Sequence, residues 1–499
     1  MKAVSIHNNQ SIPVKSIPDL SYTEFLEANT SLVINDRENH CVNYFGFPFE
    51  DGIRLVCCIA NDHDHLIHIS STLLNIDREY PSFSSLHLSF EKFEREIHEN
   101  FGIKYLDHPW LKPVRFPFNQ YDTANTIANY PFFQVSGEEI HEVGVGPIHA
   151  GVIEPGHFRF SCNGEQILHM EIQLGYQHRG IEYLLLEKKK LLQRTTIAES
   201  IAGDTVAGHT TAFINLFESL SGFKATEDLR FSRMLALELE RIAMHTADLS
   251  ALCTDIAYQL GSAVYGRLRT PIINFLQVWC GNRLAKGLLR PGMTHFPFTQ
   301  ALAEKLNAVL DSFEPDFIEM SKKLFSLPSA LSRFEKTGVV SEEQLLEMGC
   351  VGMAARMYGV SRDVRFSHPH DLYSDIQHEL IIKHHGDVYS RAQIRKQEII
   401  QSIAFIREML KSIPEPKEAG EDLQPMGKNM LALSLVEGWR GEICHCAITD
   451  SSGELEVYKV KDPSFHNWLA LAMSVRNNEI SDFPICNKSF NLSYCGHDL

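Results

Sequence analysis

From Glu227 to Leu252 the chain carries one long helical pattern. Leu235, Ile242 and Leu249 recur at seven residues, Leu239 and Leu252 fill the same side, and Arg230, Arg233, Glu240 and Arg241 supply charge around it. Residues three, four and seven apart share a helix face, so this spacing predicts a helix of roughly 39 Å at 1.5 Å per residue. An apolar stripe that long is buried only against other helices. Further helical periods follow at 298–326, 342–357 and 388–412. A short glycine-punctuated β region precedes them, from Gly144 to Ile167. The tail returns to β character at Gly441–Ile448 and Leu455–Val460.

The first 120 or so residues have a different texture. Leu55–Ala60 is a short apolar run suited to a buried strand, with Leu66–Ile69 as its neighbour. Ser84–Phe90 alternates like a half-covered strand. A charged amphipathic helix follows from Glu91 to Asn100, and Gly102 is placed to stop it. From His108 to Pro131 Pro and aromatics abound without a sustained period, which marks an ordered connector rather than a flexible linker. The fold class is therefore α+β: a small α/β N-terminal domain over 1–120, a connector over 121–144, and a mainly helical domain with a β-hairpin and short sheet over 145–499.

Bulk numbers narrow the function classes. A chain of 499 residues exceeds one ordinary core. No run of about 18 apolar residues suggests a membrane span, and Met1–Gln10 turns polar at once, which points to a cytoplasmic protein. A net charge of −17 argues against nucleic acid as a partner. Eleven scattered cysteines, none in a CxxC pair, give neither a disulfide scaffold nor a metal site. The clusters Cys57-Cys58 and Cys444-His445-Cys446 read as reduced structural thiols.

Particular segments then resemble a known superfamily. Phe93-Glu94-Arg95-Glu96-Ile97-His98-Glu99-Asn100-Phe101-Gly102-Ile103 and His108-Pro109-Trp110-Leu111 resemble the 30-kilodalton-type subunit of respiratory complex I. Gly146-Pro147-Ile148-His149, Glu154-Pro155-Gly156-His157-Phe158-Arg159, His178-Arg179-Gly180-Ile181-Glu182 and Glu238-Leu239-Glu240-Arg241-Ile242 resemble the large subunit of membrane-bound energy-converting hydrogenases and its complex I counterpart. So do Gly386–Arg391, Glu437–Glu442, Asp462-Pro463-Ser464-Phe465 and Asp482-Phe483-Pro484. The ordered series spans nearly the whole chain.

That resemblance implies a nickel–iron centre on four thiolates from two CxxC motifs. Here the first motif aligns with Ala202-Gly203-Asp204-Thr205 and the second with Ser493-Tyr494-Cys495-Gly496. The former ligand positions Ala202, Thr205, Ser493 and Gly496 bear no thiol, and one cysteine, Cys495, cannot replace four. No metal ligand and no cofactor of its own are therefore assigned to the chain, and hydrogen activation is the wrong expectation. Complex I relatives use the vacated cavity for a quinone, held by a hairpin histidine and a tyrosine beside the first former ligand. The hairpin offers His149 and His157, but the tyrosine position falls at Gly203 or Asp204.

The resemblance implies a role for Glu154 in proton transfer, against the plain reading of a turn residue paired with Arg159. Asp204 reads either as a proton acceptor or hard-cation ligand, or as a solvated surface carboxylate. His178 and Arg179 would face an iron–sulfur cluster in a partner and tune it, or else form a buried ion pair between helix and hairpin. Arg440 matches the family arginine near the active cavity and is a candidate site residue, read as positioned rather than proton-transferring because a guanidinium is a poor proton donor. Glu240, Arg241 and His245 read as a charge network. The function implied is a nickel-free subunit of a membrane-associated oxidoreductase complex, peripheral on the inner face of the cell membrane. Its partners would be an iron–sulfur subunit and ion-pump-like membrane subunits, with a quinone or other small redox substrate. The alternative is a non-catalytic scaffold of such a complex.

Overall fold

A computed structural model describes residues 2–151, 153–415 and 423–499. Helix α1 (Tyr22–Asn35) starts at Ser21, whose side chain accepts from the Glu24 amide while Glu24 reaches back to the Ser21 backbone. Three long antiparallel strands follow: β1 (Asn39–Phe49), β2 (Gly52–Asn61) and β3 (Leu66–Leu74). The apolar run Leu55–Ala60 lies inside β2, and its neighbour is the expected one, with Ala60 opposite Ile67. Helix α2 (Glu91–Phe101) crosses this sheet and ends at Gly102, whose φ of +71° is the left-handed cap that glycine adopts freely.

Ser84–Phe90 is not a strand; it is a turn running into a 3-10 helix at Leu88–Phe90. The cause is Glu94. Its buried carboxylate accepts from the Ser82 and Ser84 hydroxyls and from the Phe83 and Ser84 amides, and this local pairing displaces a ladder.

The next sheet is β4 (Ile140–Val145), β5 (His157–Asn163) and β6 (Gln166–Gln173), antiparallel, with β5 central. Helices α3 (Ile181–Glu187), α4 (Leu191–Ala198), α5 (Val206–Ser221), α6 (Glu227–Asp255), α7 (Gln259–Cys280), α8 (Gln300–Leu324) and α9 (Val388–Met409) form the bundle. The helical period over 342–357 is broken in two, Glu342–Glu347 and Gly352–Arg356, because Gly349 and Gly352 sit at positive φ. The C-terminal hairpin is β7 (Met430–Gly438) and β8 (Gly441–Thr449), extended by β9 (Leu455–Lys461). Ser11–Pro13 adds a fourth strand beside β7, so the first residues of the chain are stitched into its last sheet. Helices α10 (Pro463–Ser474), α11 (Phe483–Phe490) and α12 (Tyr494–Asp498) complete the chain.

Helix α6 is buried on nearly every side, including its charges. Glu398 on α9 faces it with one carboxylate oxygen, 2.7 Å from His245 and 3.3 Å from Arg241, while Arg356 of the short helix Gly352–Arg356 pairs with the other oxygen at 2.5 Å. Arg241 and His245 thus do form an interhelical network, while Glu240 leaves it and turns towards α5. All eleven cysteines are free and buried, as expected of structural thiols. Among the described residues no helix is long and apolar enough to cross a membrane.

Candidate functional site

The fold brings together the two motifs whose former ligand positions lack thiols. Residues 202–205 form the turn before α5, and residues 493–496 open α12. Arg179 joins them: its guanidinium donates to the Ser200 and Ile201 carbonyls at 2.7 Å and to the Cys495 carbonyl at 3.2 Å. Its amide donates to the Leu499 carbonyl, and His178 Nδ1 lies 2.8 Å from the Asp498 carbonyl. His178 and Arg179 form neither a pair with each other nor one with a carboxylate among the described residues. They tie the C-terminus to the first motif through main-chain oxygens.

Arg440 enters from the other side. Gly438 pairs with Gly441, which leaves Trp439 and Arg440 as the two-residue tip between β7 and β8. This tip lies against Gly352, where a Cβ would come 2.1 Å from the Gly441 Cα, so glycine at 352 is what lets the tip seat. From it Arg440 donates to both Asp204 oxygens at 2.7 Å, to Thr205 Oγ1 at 3.1 Å and to the Asn491 carbonyl at 2.5 Å. Its guanidinium stacks 3.9 Å from the Trp439 ring centre, and Trp439 Nε1 donates to the Asp204 carbonyl.

Asp204 is therefore not a freely solvated carboxylate, although 39% of its side chain is exposed. Burial works to raise its pKa, but the Arg440 guanidinium overrides it and holds the carboxyl below its usual value. The fork-to-fork geometry fixes both partners in one plane.

Behind this pair runs a line of buried polar groups. Asp462, the N-cap of α10, lies 3.0 Å from His209 Nε2. His209 Nδ1 lies 3.2 Å from His445 Nε2, and His445 Nδ1 lies 2.8 Å from the Tyr458 hydroxyl. Burial pushes His445 well below the usual imidazole range, so it stays neutral, while the His209 bond helps hold Asp462 down against burial. Glu240 accepts from the Ala207 and Gly208 amides at the start of α5, immediately behind Asp204. Burial, reinforced by the Asp204 charge, raises it to about 8, despite the favourable helix terminus.

The hairpin residues divide. Glu154 accepts from the Cys495 amide at 3.2 Å, which brings it to the second motif. Arg159 is not its partner: Arg159 pairs with Glu142 on β4. His149 Nε2 lies 2.8 Å from the Gly156 carbonyl and His157 Nδ1 lies 3.1 Å from the Gly146 carbonyl, so each histidine closes the hairpin loop. Burial, then Glu154, pushes the Cys495 thiol up to about 12. The donor groups gathered here are the Thr205 and Ser493 hydroxyls, the neutral Cys495 thiol and two carboxylates. At Gly496 a Cβ would stand 2.5 Å from an Asp462 oxygen. Sequence reasoning missed His209, His445, Tyr458 and Glu240 as parts of the site. Their only local sign is polarity within apolar helix and strand patterns, and their partners lie up to 253 positions away.

The site is thus framed by the hairpin residue Glu154, by the Trp439–Arg440 tip and by the start of α12. Residues 23–124 match the family model described as respiratory-chain NADH dehydrogenase, 30 Kd subunit, and residues 260–430 that of the 49 Kd subunit. The carbon monoxide-induced hydrogenase of Rhodospirillum rubrum is 28% identical over 354 residues, covering 70% of this chain and 97% of that protein. The C/D subunit of the NADH-quinone oxidoreductase of Phocaeicola vulgatus is 26% identical over 474 residues, covering 87% of this chain and 90% of that protein. A chain in the structure of the membrane-bound sulfane sulfur reductase, an archaeal respiratory membrane complex, superposes with a TM-score of 0.67 at 20% identity, over 72% of this chain and 99% of that one. Two segments of one polypeptide thus match the 30 Kd and 49 Kd models, and the proteins it is similar to include hydrogenases and NADH-quinone oxidoreductase subunits.

Proposed function

We propose that this chain is a subunit of a membrane-associated oxidoreductase complex in which the inherited cavity works without nickel and iron. The observation that carries this reading is the Asp204–Arg440 pair, set between former ligand positions that carry Ala202, Thr205, Ser493 and Gly496. Four thiolates are what such a metal pair requires. Here the available groups are two hydroxyls, one thiol held protonated and two carboxylates, and the Arg440 guanidinium already engages one hydroxyl and one carboxylate. A cysteine side chain at 496 would collide with Asp462. The residues do not fit the group.

What they fit is a small polar redox substrate, such as a quinone headgroup or a related compound. Arg440 offers fixed N–H donors. Glu240 and the Asp462–His209–His445–Tyr458 line offer places for protons to reside. Electrons would come through an iron–sulfur subunit docked on the face near His178 and Arg179, where Phe118 and Tyr183 are exposed and in ring contact. Membrane attachment would come through further subunits.

Two measurements on the purified complex test this. Metal analysis should find iron and no nickel; stoichiometric nickel with hydrogen uptake overturns the proposal. Asp204→Asn should remove most turnover while the complex still assembles. Full activity in that variant, and in Arg440→Gln, leaves the chain a scaffold.

A further inference from the structure

An apolar chamber of about 410 Å³ lies where the connector, α2, β6 and α10 meet, with His497 of α12 in its wall. Its volume falls in the range of small-molecule sites. Trp110, Tyr130, Phe133 and Trp468 give it four aromatic walls. Such walls favour a flat apolar body, since ring faces and edges pack well against one another.

The polar groups of this chamber are not balanced. Glu91 is engaged by Lys92, Arg95 and the Trp110 indole. Glu171 is engaged by Lys112 and by the Phe133 amide. Arg476 is the one cation in the wall without a carboxylate partner among the described residues. Its guanidinium donates to His169 Nδ1 at 3.1 Å, which leaves the His169 proton on Nε2. Burial, then Arg476, depresses His169, so the ring is neutral. Arg476 Nε and His169 Nε2 are both buried atoms with no hydrogen-bond partner among the described residues. Two orphaned donors, one of them charged, on the rim of an aromatic chamber are costly unless an acceptor reaches them.

We propose that this chamber binds a small flat monocarboxylate, its apolar body between the aromatic walls and its carboxylate on Arg476 and His169. The charge count selects an anion, because the cations Lys92, Arg95 and Arg476 outnumber the carboxylates Glu91 and Glu171 in the wall. One unpaired guanidinium with a neutral imidazole bonded to it suits a singly charged carboxylate rather than a larger, more highly charged group. This site is independent of the redox reading of the motif cavity.

The test is calorimetric titration of the full chain with 2-naphthoate and with its neutral isostere 2-naphthamide. Naphthoate should bind in the micromolar-to-submillimolar range, and naphthamide should bind at least about tenfold more weakly. Arg476→Gln should bring naphthoate down to the naphthamide level, and Arg476→Lys should restore part of the difference. Ala472→Trp, which fills the chamber, should abolish both, with thermal unfolding confirming that each variant is folded. Equal binding of the acid and the amide, unchanged affinity in Arg476→Gln, or no naphthoate binding at millimolar concentration overturns the proposal.

Discussion

Two sets of buried charge lie within the large domain, and they are built differently. Around Glu398 every charge has several partners: one carboxylate faces Arg356, Arg241, His245 and Arg365, all at most 1% exposed. Around Asp204 there is a single bidentate pair, partly open to solvent, with a hydrogen-bonded line of polar groups behind it. The first arrangement can serve only to hold helices together, because no member has a free face to offer. The second leaves a carboxylate, 39% exposed, where a small molecule can reach it. Multiplicity of partners is thus what separates a strut from a site.

Breaking the strut should produce the largest effect. Glu398→Gln leaves three buried guanidinium groups short of a counter-charge, and it is expected to cost about 3–5 kcal/mol in chemical denaturation. A cost below about 1 kcal/mol would erase the contrast between the regions. The next effect concerns pH. Glu240 has a folded pKa of about 8 against an ordinary 4.5. Its protonated form stabilises the fold fully below the unfolded value, and that contribution fades as pH rises through about 8. Wild type should therefore lose of order 2–4 kcal/mol between pH 5 and pH 9 that Glu240→Gln retains. Parallel pH–stability curves for the two proteins would show that Glu240 is an ordinary charged residue.

Asp204→Asn comes third in stability and first in activity. The pair is partly exposed, so denaturation should shift by about 1 kcal/mol or less, while turnover of the complex falls by at least about tenfold. The smallest expected effect is at the surface: Arg267→Ala, which breaks a pair with Asp316 exposed on both sides, should change stability by at most about 0.5 kcal/mol.

The positions that could be read in advance are those whose signal is local. The period of Leu235, Ile242 and Leu249 marks α6, Gly102 marks the end of α2, and the β character of Gly441–Ile448 and Leu455–Val460 marks β8 and β9. Where a local pattern met a stronger distant partner, it gave way. Ser84–Phe90 alternates, yet it wraps Glu94 instead of pairing as a strand. Arg159 stands five residues from Glu154 but bonds to Glu142, because β4 and β5 are paired in the sheet. At the site, the missing thiols were visible in the sequence, and the groups replacing them were not.

By itself, then, the sequence determined the helix and strand periods, the likeness to the complex I and hydrogenase large subunits, and the absence of thiols at four positions. Only the tertiary structure decided that Arg440 would meet Asp204 across 236 positions and that Glu240 would leave its own helix's network to cap α5. The physical reason is range. Periodicity and capping are set by neighbours within a turn or two, whereas the partner and the protonation state of a buried charge depend on whatever chain the fold brings against it.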